Sequence, residues 1–338
     1  MHFPRRIQDL PPGDVHLCLG IERFLRDELG FEPTGQHLLL ALSGGPDSTA
    51  LVFVIRALAA RWKARLSAAH FDHALRPDSA GEAARVADMC AGLDLPLETG
   101  RIEVRAWAEA RGKGLEEAAR ILRYKFLEQA RAAAGADMIL TGHHLNDLAE
   151  DVLLRLLRGT GWPGLSGMEA LDHGRCLLRP LLLTPRNRLT ALLADHAISW
   201  LDDPSNLDPS LRRNRLRQAV IPVLEEENPS FLSSVAQLWR QGRVDKAYWK
   251  ELVEAAAAGT AAGQAWLLQD SFLRTCPKAL RLRLYKHFLD RLGPGQALSH
   301  TLQQVDRAFE DKRRGTTFQF PGNKQIFVTP EGLRFERE

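Results

Sequence analysis

The strongest constraint on the fold is an abrupt passage from a buried-looking strand, through a turn of small residues, into an apolar helix. Residues 37–42 read HLLLAL, residues 43–48 read SGGPDS, and apolar residues resume directly afterwards. A short apolar run bounded by turn residues is typical of a strand buried on both faces. Gly44 and Gly45 permit unusual backbone angles and the close approach of an anion. The segment therefore predicts a strand–turn–helix unit of an α/β protein.

The alternation of strands and helices continues along the chain. Periodicity predicts further strands near residues 65–71, 95–102 and 136–142, and helices over residues 15–29, 48–61, 81–93, 115–134 and 146–159. Strands separated by helical crossovers indicate a parallel sheet with helices on both faces. Ligands of such sheets bind beyond the carboxyl ends of the strands, where the stretches SGGPDS, HFDHALR and TGHHLND fall.

Composition places the chain among ordinary globular proteins. Its 338 residues are 45% hydrophobic and 26% charged, enough for a catalytic domain and a smaller second domain. The opening residues lack the apolar segment of a signal peptide, and no stretch approaches the roughly 18 apolar residues of a membrane span, so we expect a cytoplasmic protein without a membrane partner. The four cysteines show no Cys-x-x-Cys spacing, which argues against a zinc ribbon, an iron–sulfur cluster or a redox dithiol.

The last third of the chain differs in both pattern and charge. After residue 168 the pattern is mostly helical, and residues 316–336 alternate between strand and turn signals, which predicts a short antiparallel ribbon. Residues 211–338 contain 21 Lys and Arg against 14 Asp and Glu, although the whole chain carries a formal charge of only +3. A basic domain favours a polyanionic partner, because clustered cations bind phosphates by releasing counterions. A merely solvated surface accounts for the charge equally well.

The SGGPDS turn suits phosphate groups. Ser48 or Thr49 begins a helix whose unpaired N–H groups point back into the turn. No Lys follows the glycines, so the turn is not a Walker A loop. Without that Lys it is better suited to holding the β and γ phosphates of a nucleotide as a leaving group. A purely structural strand-to-helix turn is the alternative.

Several stretches, taken in order, resemble one family. SGGPDS matches the SGGxDS motif of PP-loop ATP pyrophosphatases, which cleave ATP to AMP and pyrophosphate. Segments of the bacterial tRNA(Ile)-lysidine synthetases are similar to HFDHALRPDS, LEEAARILRYKFL, TGHHLNDLAEDVLLRLLRGTGWPGLSGM, WLDDPSN and RRNRLRQAVIPVL. The resemblance covers about residues 36–224. It departs from the family pattern at Asn146, where Asp is usual, and at Asp151, where Thr is usual.

This resemblance implies a PP-loop ATP-binding catalytic domain over residues 1–211 and a mostly helical tRNA-binding domain over residues 212–338. The implied reaction is ATP-dependent adenylation at C2 of the wobble cytidine in the CAU anticodon of tRNA(Ile). Attack by the ε-amine of free L-lysine then forms lysidine, with release of AMP and pyrophosphate. ATP and Mg²⁺ are the implied cofactors. The oligomeric state stays open, with a homodimer allowed.

The resemblance also implies roles for individual residues. The implied catalytic residues are Asp47, Arg120, Asp147 and Glu150. The implied ATP-binding residues are Ser43, Gly44, Gly45, Pro46, Asp47, Ser48, Thr49, His70 and His143. The implied tRNA-binding residues are Arg212, Arg213, Asn214, Arg215 and Arg217, and the implied Mg²⁺ ligands are Asp47 and Asp147.

Each of these residues has an ordinary structural alternative. Asp47 could cap the helix that it begins. Asp147 and Glu150 lie three residues apart near a helix start, so both face the same way, but acids there also complement the helix dipole. Arg120 could pair with Glu116 or Glu117. The arginine run from Arg212 could cover a solvated helix face.

Two other functions remain open. A PP-loop sulfur transferase or amide-forming synthetase shares the phosphate loop, but sulfur insertion normally relies on paired cysteines, and amide-forming members lack the Arg-rich segment. A non-catalytic RNA-binding relative is suggested by Asn146. The intact SGGPDS turn, Asp147 and Glu150 weigh against it.

Overall fold

The computed structural model describes residues 3–74, 79–201, 208–258 and 265–338. The chain forms two compact units, the first made of Met1–Gly159 with Ser166–Trp239 and the second of Thr160–Leu165 with Arg240–Glu338. The domain boundary expected between residues 211 and 212 lies inside the first unit. Ile221, Val235 and Trp239 are buried in the core of that unit, so the segment that follows the Arg-rich run folds with it.

The described part of the first unit contains these helices: α1 (Pro12–Arg23), α2 (Pro46–Trp62), α3 (Ser79–Gly92), α4 (Val104–Glu109), α5 (Leu115–Ala134), α6 (Leu145–Leu157), α7 (Arg186–Asp195), α8 (Arg212–Arg215), α9 (Ile221–Glu227) and the start of α10 (Phe231–Ala257). Its strands are β1 (His37–Leu42), β2 (Arg65–Asp72), β3 (Leu97–Arg101), β4 (Met138–Leu140), β5 (Leu171–Asp172) and β6 (Leu177–Leu178). A π-helical turn, Leu216–Val220, joins α8 to α9.

The strands form a sheet in the order β3-β2-β1-β4-β6-β5. All neighbouring pairs are parallel except β5 with β6. The predicted parallel sheet is thus confirmed, together with its four longer strands. The sequence did not predict β5 and β6, because two-residue strands are too short to show a hydrophobic period.

Alternate residues of β1 pack against helices on opposite faces of the sheet. Leu38 and Leu40 belong to the large core cluster that includes α2 residues such as Phe53. Leu39 belongs to a separate cluster with Leu127 of α5. Because successive side chains of a strand point to opposite faces, this division shows that both faces are covered by helices, as predicted.

The sheet register brings the predicted site segments together. Leu42 at the end of β1 pairs with His70 near the end of β2. Leu40 pairs with Leu140, the last residue of β4. The segments that follow β1, β2 and β4 therefore emerge from the same edge of the sheet, where parallel sheets bind ligands.

The second unit contains an antiparallel sheet in the order β7-β10-β9-β8. Its described elements include β7 (Ala265–Gln269), β8 (Thr317–Phe320), β9 (Lys324–Thr329), β10 (Gly332–Arg337), α11 (Asp270–Thr275), α12 (Lys278–Arg291) and α13 (Ser299–Glu310). The predicted C-terminal ribbon corresponds to β8, β9 and β10, and β7 extends it to a sheet. A buried ion pair between Arg281 and Asp306, with Nε–Oδ1 at 2.7 Å, links α12 to α13.

Among the helices of the described ranges, none combines the length and the apolar composition needed to cross a bilayer.

Gly142 allows the segment after β4 to touch the start of α2. A Cβ atom at Gly142 would lie 2.6 Å from the carbonyl oxygen and 2.8 Å from the carbonyl carbon of Asp47. Real Cβ atoms do not approach backbone atoms so closely, so any other residue here must push the two segments apart. The backbone that carries Asp47 is thereby held directly against the edge of β4.

We therefore expect Gly142→Ala to lower the free energy of unfolding by about 1–3 kcal/mol, the range for overpacked sites. Urea denaturation measures the change. The matched control is Gly20→Ala in α1, where a Cβ atom meets no heavy atom within 4 Å. That control should leave stability unchanged or raise it by up to about 1 kcal/mol, because Ala favours helix more than Gly does. Equal stability of the Gly142→Ala protein and the wild type would contradict the contact.

Candidate functional site

The SGGPDS loop, residues 43–48, leaves β1 at Ser43 and enters α2 at Pro46. Gly44 has φ +83°, in the left-handed region that favours glycine. Ser48 Oγ donates to the Gly45 carbonyl at 3.0 Å and lies 3.1 Å from Ser43 Oγ, and Thr49 Oγ1 donates to the same carbonyl at 2.9 Å. These hydroxyl groups fix the shape of the loop. The N–H groups that begin a helix lack intrahelical partners, so the start of α2 can bind an anion.

Asp47, in the first turn of α2, faces residues from two other elements. Its Oδ1 atom lies 3.4 Å from His144 Nε2 and 3.4 Å from Arg186 Nε. His144 is fully buried, and its Nδ1 accepts the backbone N–H of Asp147 at 3.2 Å. The other ring nitrogen, Nε2, is on the side of Asp47. His144 therefore stands between the two predicted acids Asp47 and Asp147.

Two arginines close over the acids of α6. Arg213 contacts Glu150 through Nε at 2.5 Å and Asp147 through Nη2 at 3.1 Å. Arg217 repeats the arrangement, with its Nε 2.6 Å from Glu150 and its Nη2 3.2 Å from Asp147. The spacing of four residues puts both arginines on one face, as the spacing of three does for the acids. We call Asp147, Glu150, Arg213 and Arg217 the ion quartet.

Burial and charge act in opposite directions on Asp147. Burial would raise the pKa of its carboxyl group, but His144, Arg213 and Arg217 outweigh that effect, and the pKa lies well below its ordinary value of 3.8. Glu150 is completely buried, and both of its carboxylate oxygens contact an arginine. A buried charge persists only when it is paired. Asp147 is thus a fixed negative charge at neutral pH and unsuited to accepting a proton.

Asn146, the departure from the family pattern, contacts backbone. Its amide oxygen accepts the N–H of Arg186, the first residue of α7, at 3.0 Å. An Asn side chain satisfies this donor as well as an Asp would. The substitution therefore keeps the connection between α6 and α7 and removes one negative charge from the edge of the sheet.

The two histidines expected near ATP have different surroundings. His70 is buried and its Nδ1 lies 2.9 Å from the carbonyl of Leu42, so it supports the backbone of β1 just before the loop. His143 is half-buried, and its Nδ1 lies 2.8 Å from Thr141 Oγ1. Burial and the nearby positive charge of Arg179 hold the pKa of His143 well below its ordinary value. His143 is therefore a neutral imidazole at pH 7.

Of the five residues expected to bind tRNA, three are wholly or partly buried and two are exposed. Arg213 and Arg217 belong to the ion quartet, and buried Asn214 donates to the carbonyl of Asp208 at 2.9 Å. Arg212 and Arg215 are exposed. Of the other predicted motif residues, Arg76 and residues 202–206 lie outside the described residues.

Arg120 lies with other arginines around the ring of Tyr124. Its Cζ atom is 5.6 Å from the ring centroid, and the Cζ atoms of Arg123 and Arg175 are each 5.5 Å away. Sequence reasoning missed Arg175, Arg179 and Arg186. All three follow segments whose hydrophobic pattern is too short or too weak to predict a strand or helix. Their positive charge was therefore the only sequence signal for a functional role.

The donor set fits Mg²⁺ in part. Within the described ranges, no three His, Cys, Asp or Glu side chains form a group able to hold a metal ion. Both Asp147 oxygens already accept N–H groups, one of them from the His144 backbone at 3.0 Å. Asp47, with 30% of its side chain exposed, is the carboxylate better able to take a metal. Mg²⁺ commonly uses one or two carboxylates with phosphate oxygens and water.

The ion quartet predicts that the loss of one charge markedly lowers the stability of the protein. Glu150→Gln should lower the free energy of unfolding by about 2–4 kcal/mol, because two mostly buried arginines then lose one of their negatively charged partners. Combining it with Arg217→Gln should cost less than the sum of the single changes, by at least about 1 kcal/mol. Urea denaturation of all four proteins tests this. Glu128→Gln, at an exposed position of α5, is the control. Strictly additive effects would mean that the quartet does not act as a unit.

The chain is similar to known proteins in sequence and in fold. A family of PP-loop domains matches residues 18–224. The tRNA(Ile)-lysidine synthase of Nitratidesulfovibrio vulgaris (strain Hildenborough) is 43% identical over 310 residues, which cover 86% of this chain and 89% of the relative. The enzyme of the same name from Bradyrhizobium sp. (strain BTAi1) is 38% identical over 326 residues, 88% of each chain. The tRNA(Ile)-lysidine synthase of Thermus thermophilus is 36% identical, and this chain covers 58% of that longer relative.

A solved structure shares the fold at low identity. The U34-tRNA thiolase NcsA from Methanococcus maripaludis, described with its 4Fe–4S cluster, has a TM-score of 0.53 and 16% sequence identity. The match covers 66% of this chain and 77% of NcsA. At this identity the likeness extends to the fold alone. The sequence relatives, the PP-loop domain and the assembled loop and acids agree, and the chain belongs to the tRNA(Ile)-lysidine synthase family.

Proposed function

We propose that this protein is a tRNA(Ile)-lysidine synthase that uses ATP and free L-lysine to convert the wobble cytidine of a CAU anticodon into lysidine. The observation that carries the proposal is the convergence of Asp47 and Asp147 on buried His144, beside a PP-loop in a chain of this family. A C–N ligase of this type needs a site for a leaving diphosphate and a site for a cationic amine. The edge of the sheet offers a candidate for each.

The loop from Ser43 to Thr49 is proposed to bind the β and γ phosphates of ATP. Its hydroxyl groups bond to its own backbone, so the loop is ordered before a ligand arrives, and the start of α2 favours negative charge. Preorganised donors stabilise charge that develops during reaction without further rearrangement. We infer that this arrangement stabilises the departing pyrophosphate when the cytidine oxygen attacks the α-phosphate.

Mg²⁺, when bound, would neutralise phosphate charge. We propose Asp47 as its main protein ligand, because Asp147 is occupied by Arg213 and Arg217. Arg186 lies 3.4 Å from Asp47 and adds a positive charge on the same side. Asp47 would thus orient the phosphate groups, and its place in the first turn of α2 couples it to the loop.

The acids of α6 are proposed to hold the lysine substrate. A lysine ammonium can replace an arginine contact at Asp147 or Glu150 if the displaced guanidinium group finds another anion, such as a phosphate of ATP. The amine must then lose a proton before it attacks the activated cytidine. Asp147 cannot accept that proton at neutral pH, since its pKa is too low. Burial lowers the pKa of His143 too, so its unprotonated ring nitrogen can accept a hydrogen bond from the amine while the proton passes to water.

Sulfur transfer is less well supported. Cys18, Cys90 and Cys276 are buried, all four cysteines are free, and burial raises the pKa of Cys18 to about 12 and of Cys90 to about 11. A thiol becomes a nucleophile or metal ligand only as the thiolate. The three buried cysteines therefore resemble small apolar core residues. Fold likeness to a thiolase does not change this assessment.

Recognition of tRNA is proposed to use the exposed Arg212 and Arg215 together with the basic second unit. Arg213 and Arg217 are reassigned from the tRNA-binding set to the lysine site, because they contact the acids of α6. A tRNA substrate is also consistent with a cytoplasmic location. Whether a homodimer forms is a separate question for solution measurements.

The reaction can be tested directly. Incubation with ATP, Mg²⁺, labelled lysine and tRNA(Ile) bearing a CAU anticodon should attach lysine to the RNA and release AMP. Asp47→Ala should reduce AMP formation by at least about 100-fold, as loss of a group that stabilises transition-state charge does, while tRNA affinity stays within twofold. Glu128→Gln is again the control. Release of AMP without lysine attachment would reject the proposal, and equal loss of AMP formation and RNA binding would make Asp47 structural.

The reassignment of the arginines makes a second prediction. Arg212→Gln combined with Arg215→Gln should weaken tRNA binding about 5- to 50-fold and lower the salt dependence of log Kd by about 1–2 units, because up to two phosphate contacts are lost. Filter binding at several salt concentrations measures both quantities. Arg105→Gln with Arg111→Gln removes the same charge from other exposed positions of the first unit. If both pairs of changes weakened tRNA binding equally, Arg212 and Arg215 would act only through the overall positive charge of the protein and not through specific phosphate contacts.

A further inference from the structure

Besides the acids, the edge of the sheet carries a group of arginines without acidic partners. Arg120, Arg123 and Arg175 each place the guanidinium carbon 5.5–5.6 Å from the ring centroid of Tyr124. Arg179, directly after β6, is the fourth member. Among the described residues, no carboxylate lies within ion-pair distance of any of the four. We call these residues, with Tyr124, the arginine cluster.

Arg179 is the most buried arginine of this cluster. Only 6% of the residue is exposed, and one Nη1 hydrogen bond reaches the carbonyl of Glu169. Its Nε is buried and finds no hydrogen-bond partner within the described part of the chain. A buried guanidinium with an unsatisfied N–H and no counterion is costly. Its persistence indicates a site that an anion completes.

The surroundings strengthen this indication. Burial would raise the pKa of the Tyr124 hydroxyl, but the charges of Arg179, Arg123 and Arg120 outweigh burial and lower it. Burial lowers the pKa of Arg123, and the neighbouring Arg120 and Arg213 lower it further. Each of these groups is thus in a field of positive charge. An anion with several oxygens would satisfy the free N–H and reduce the mutual repulsion of the guanidinium groups.

Sheet topology separates this cluster from the phosphate loop. The loop follows β1, the acids follow β4, and Arg179 follows β6 in the strand order β1-β4-β6. Thr141, after β4, donates its N–H to the carbonyl of Leu178 at 3.0 Å, which puts Arg179 beside the segment that carries His143. Two strand spacings amount to about 10 Å. The backbone of Arg179 is therefore about two strand spacings from the loop, on the far side of the strand that leads to the acids.

We propose that the arginine cluster binds a backbone phosphate of the RNA next to the nucleotide that is modified. The inference rests on the proposed function, in which an unpaired base reaches the nucleotide bound at the loop. Phosphate contacts fix the position of an RNA strand, and arginines form paired hydrogen bonds with phosphate oxygens. With one flanking phosphate held after β6, the base is directed back across the acids toward β1. Arg179 is thus a positioning residue.

The test combines RNA and protein changes. Anticodon stem-loops, each with one loop phosphate replaced by an uncharged methylphosphonate, are titrated against the wild type, Arg179→Gln and Arg179→Lys. We expect one position to weaken wild-type binding about tenfold, as loss of a charge-assisted contact should. The same replacement should change Arg179→Gln binding less than twofold. Arg179→Lys should keep part of the sensitivity.

Three controls make the result decisive. Thermal denaturation establishes that Arg179→Gln folds; if it does not, Arg123→Gln takes its place, and Lys125→Gln, exposed on the same helix, is its matched control. Affinity for ATP without RNA should change less than twofold in the Arg179 variants. A tenfold loss of ATP affinity with no RNA-phosphate sensitivity would assign the cluster to the nucleotide and overturn the proposal.

The remaining outcomes separate this inference from the proposed function. If the wild type binds the stem-loop and attaches lysine but no phosphate is coupled to Arg179 or Arg123, the inference alone fails. If the wild type binds no RNA, both fail. Position-specific coupling without lysine attachment would support the phosphate site and reject only the reaction.

Discussion

The ion quartet is the interaction on which the candidate site depends. Asp147 and Glu150 come from α6, whereas Arg213 and Arg217 come from a helix more than sixty residues later in the sequence. Two acids and two bases balance in charge, so all four can leave most of the surrounding water. A neutral set of this kind contributes less to net stability than its contacts suggest, because each charge must first lose its hydration. Its main effect is to fix where the charges stand.

The site also has two electrostatic halves. Around the loop and α6, positive and negative groups contact one another. Around Tyr124, the described residues supply arginines alone. A reaction that joins an amine to a nucleic acid needs both environments within one cleft, since the first substrate is a cation and the second a polyanion. The acids follow β4 and Arg179 follows β6, and these two strands are neighbours in a single sheet.

Much of this arrangement could be predicted from the sequence. Apolar period, turn residues and the SGGPDS motif indicated β1, the loop and α2, and the i,i+3 spacing placed Asp147 and Glu150 on one face. The partners of those acids could not be predicted. Arg213 and Arg217 share a face by their i,i+4 spacing, but spacing does not say whether that face meets solvent or another helix. Arg179 follows a two-residue strand with no periodic signal, so its burial was equally hidden.

The direct backbone contact at Gly142 has a mechanical consequence. The carbonyl of Asp47 and the chain after β4 touch with no side chain between them, so neither segment can shift toward the other without a steric clash. A contact between side chains differs from this backbone contact, because side chains can change rotamer without moving the backbone. Arg213 and Arg217 contact α6 in this second way, through their guanidinium groups.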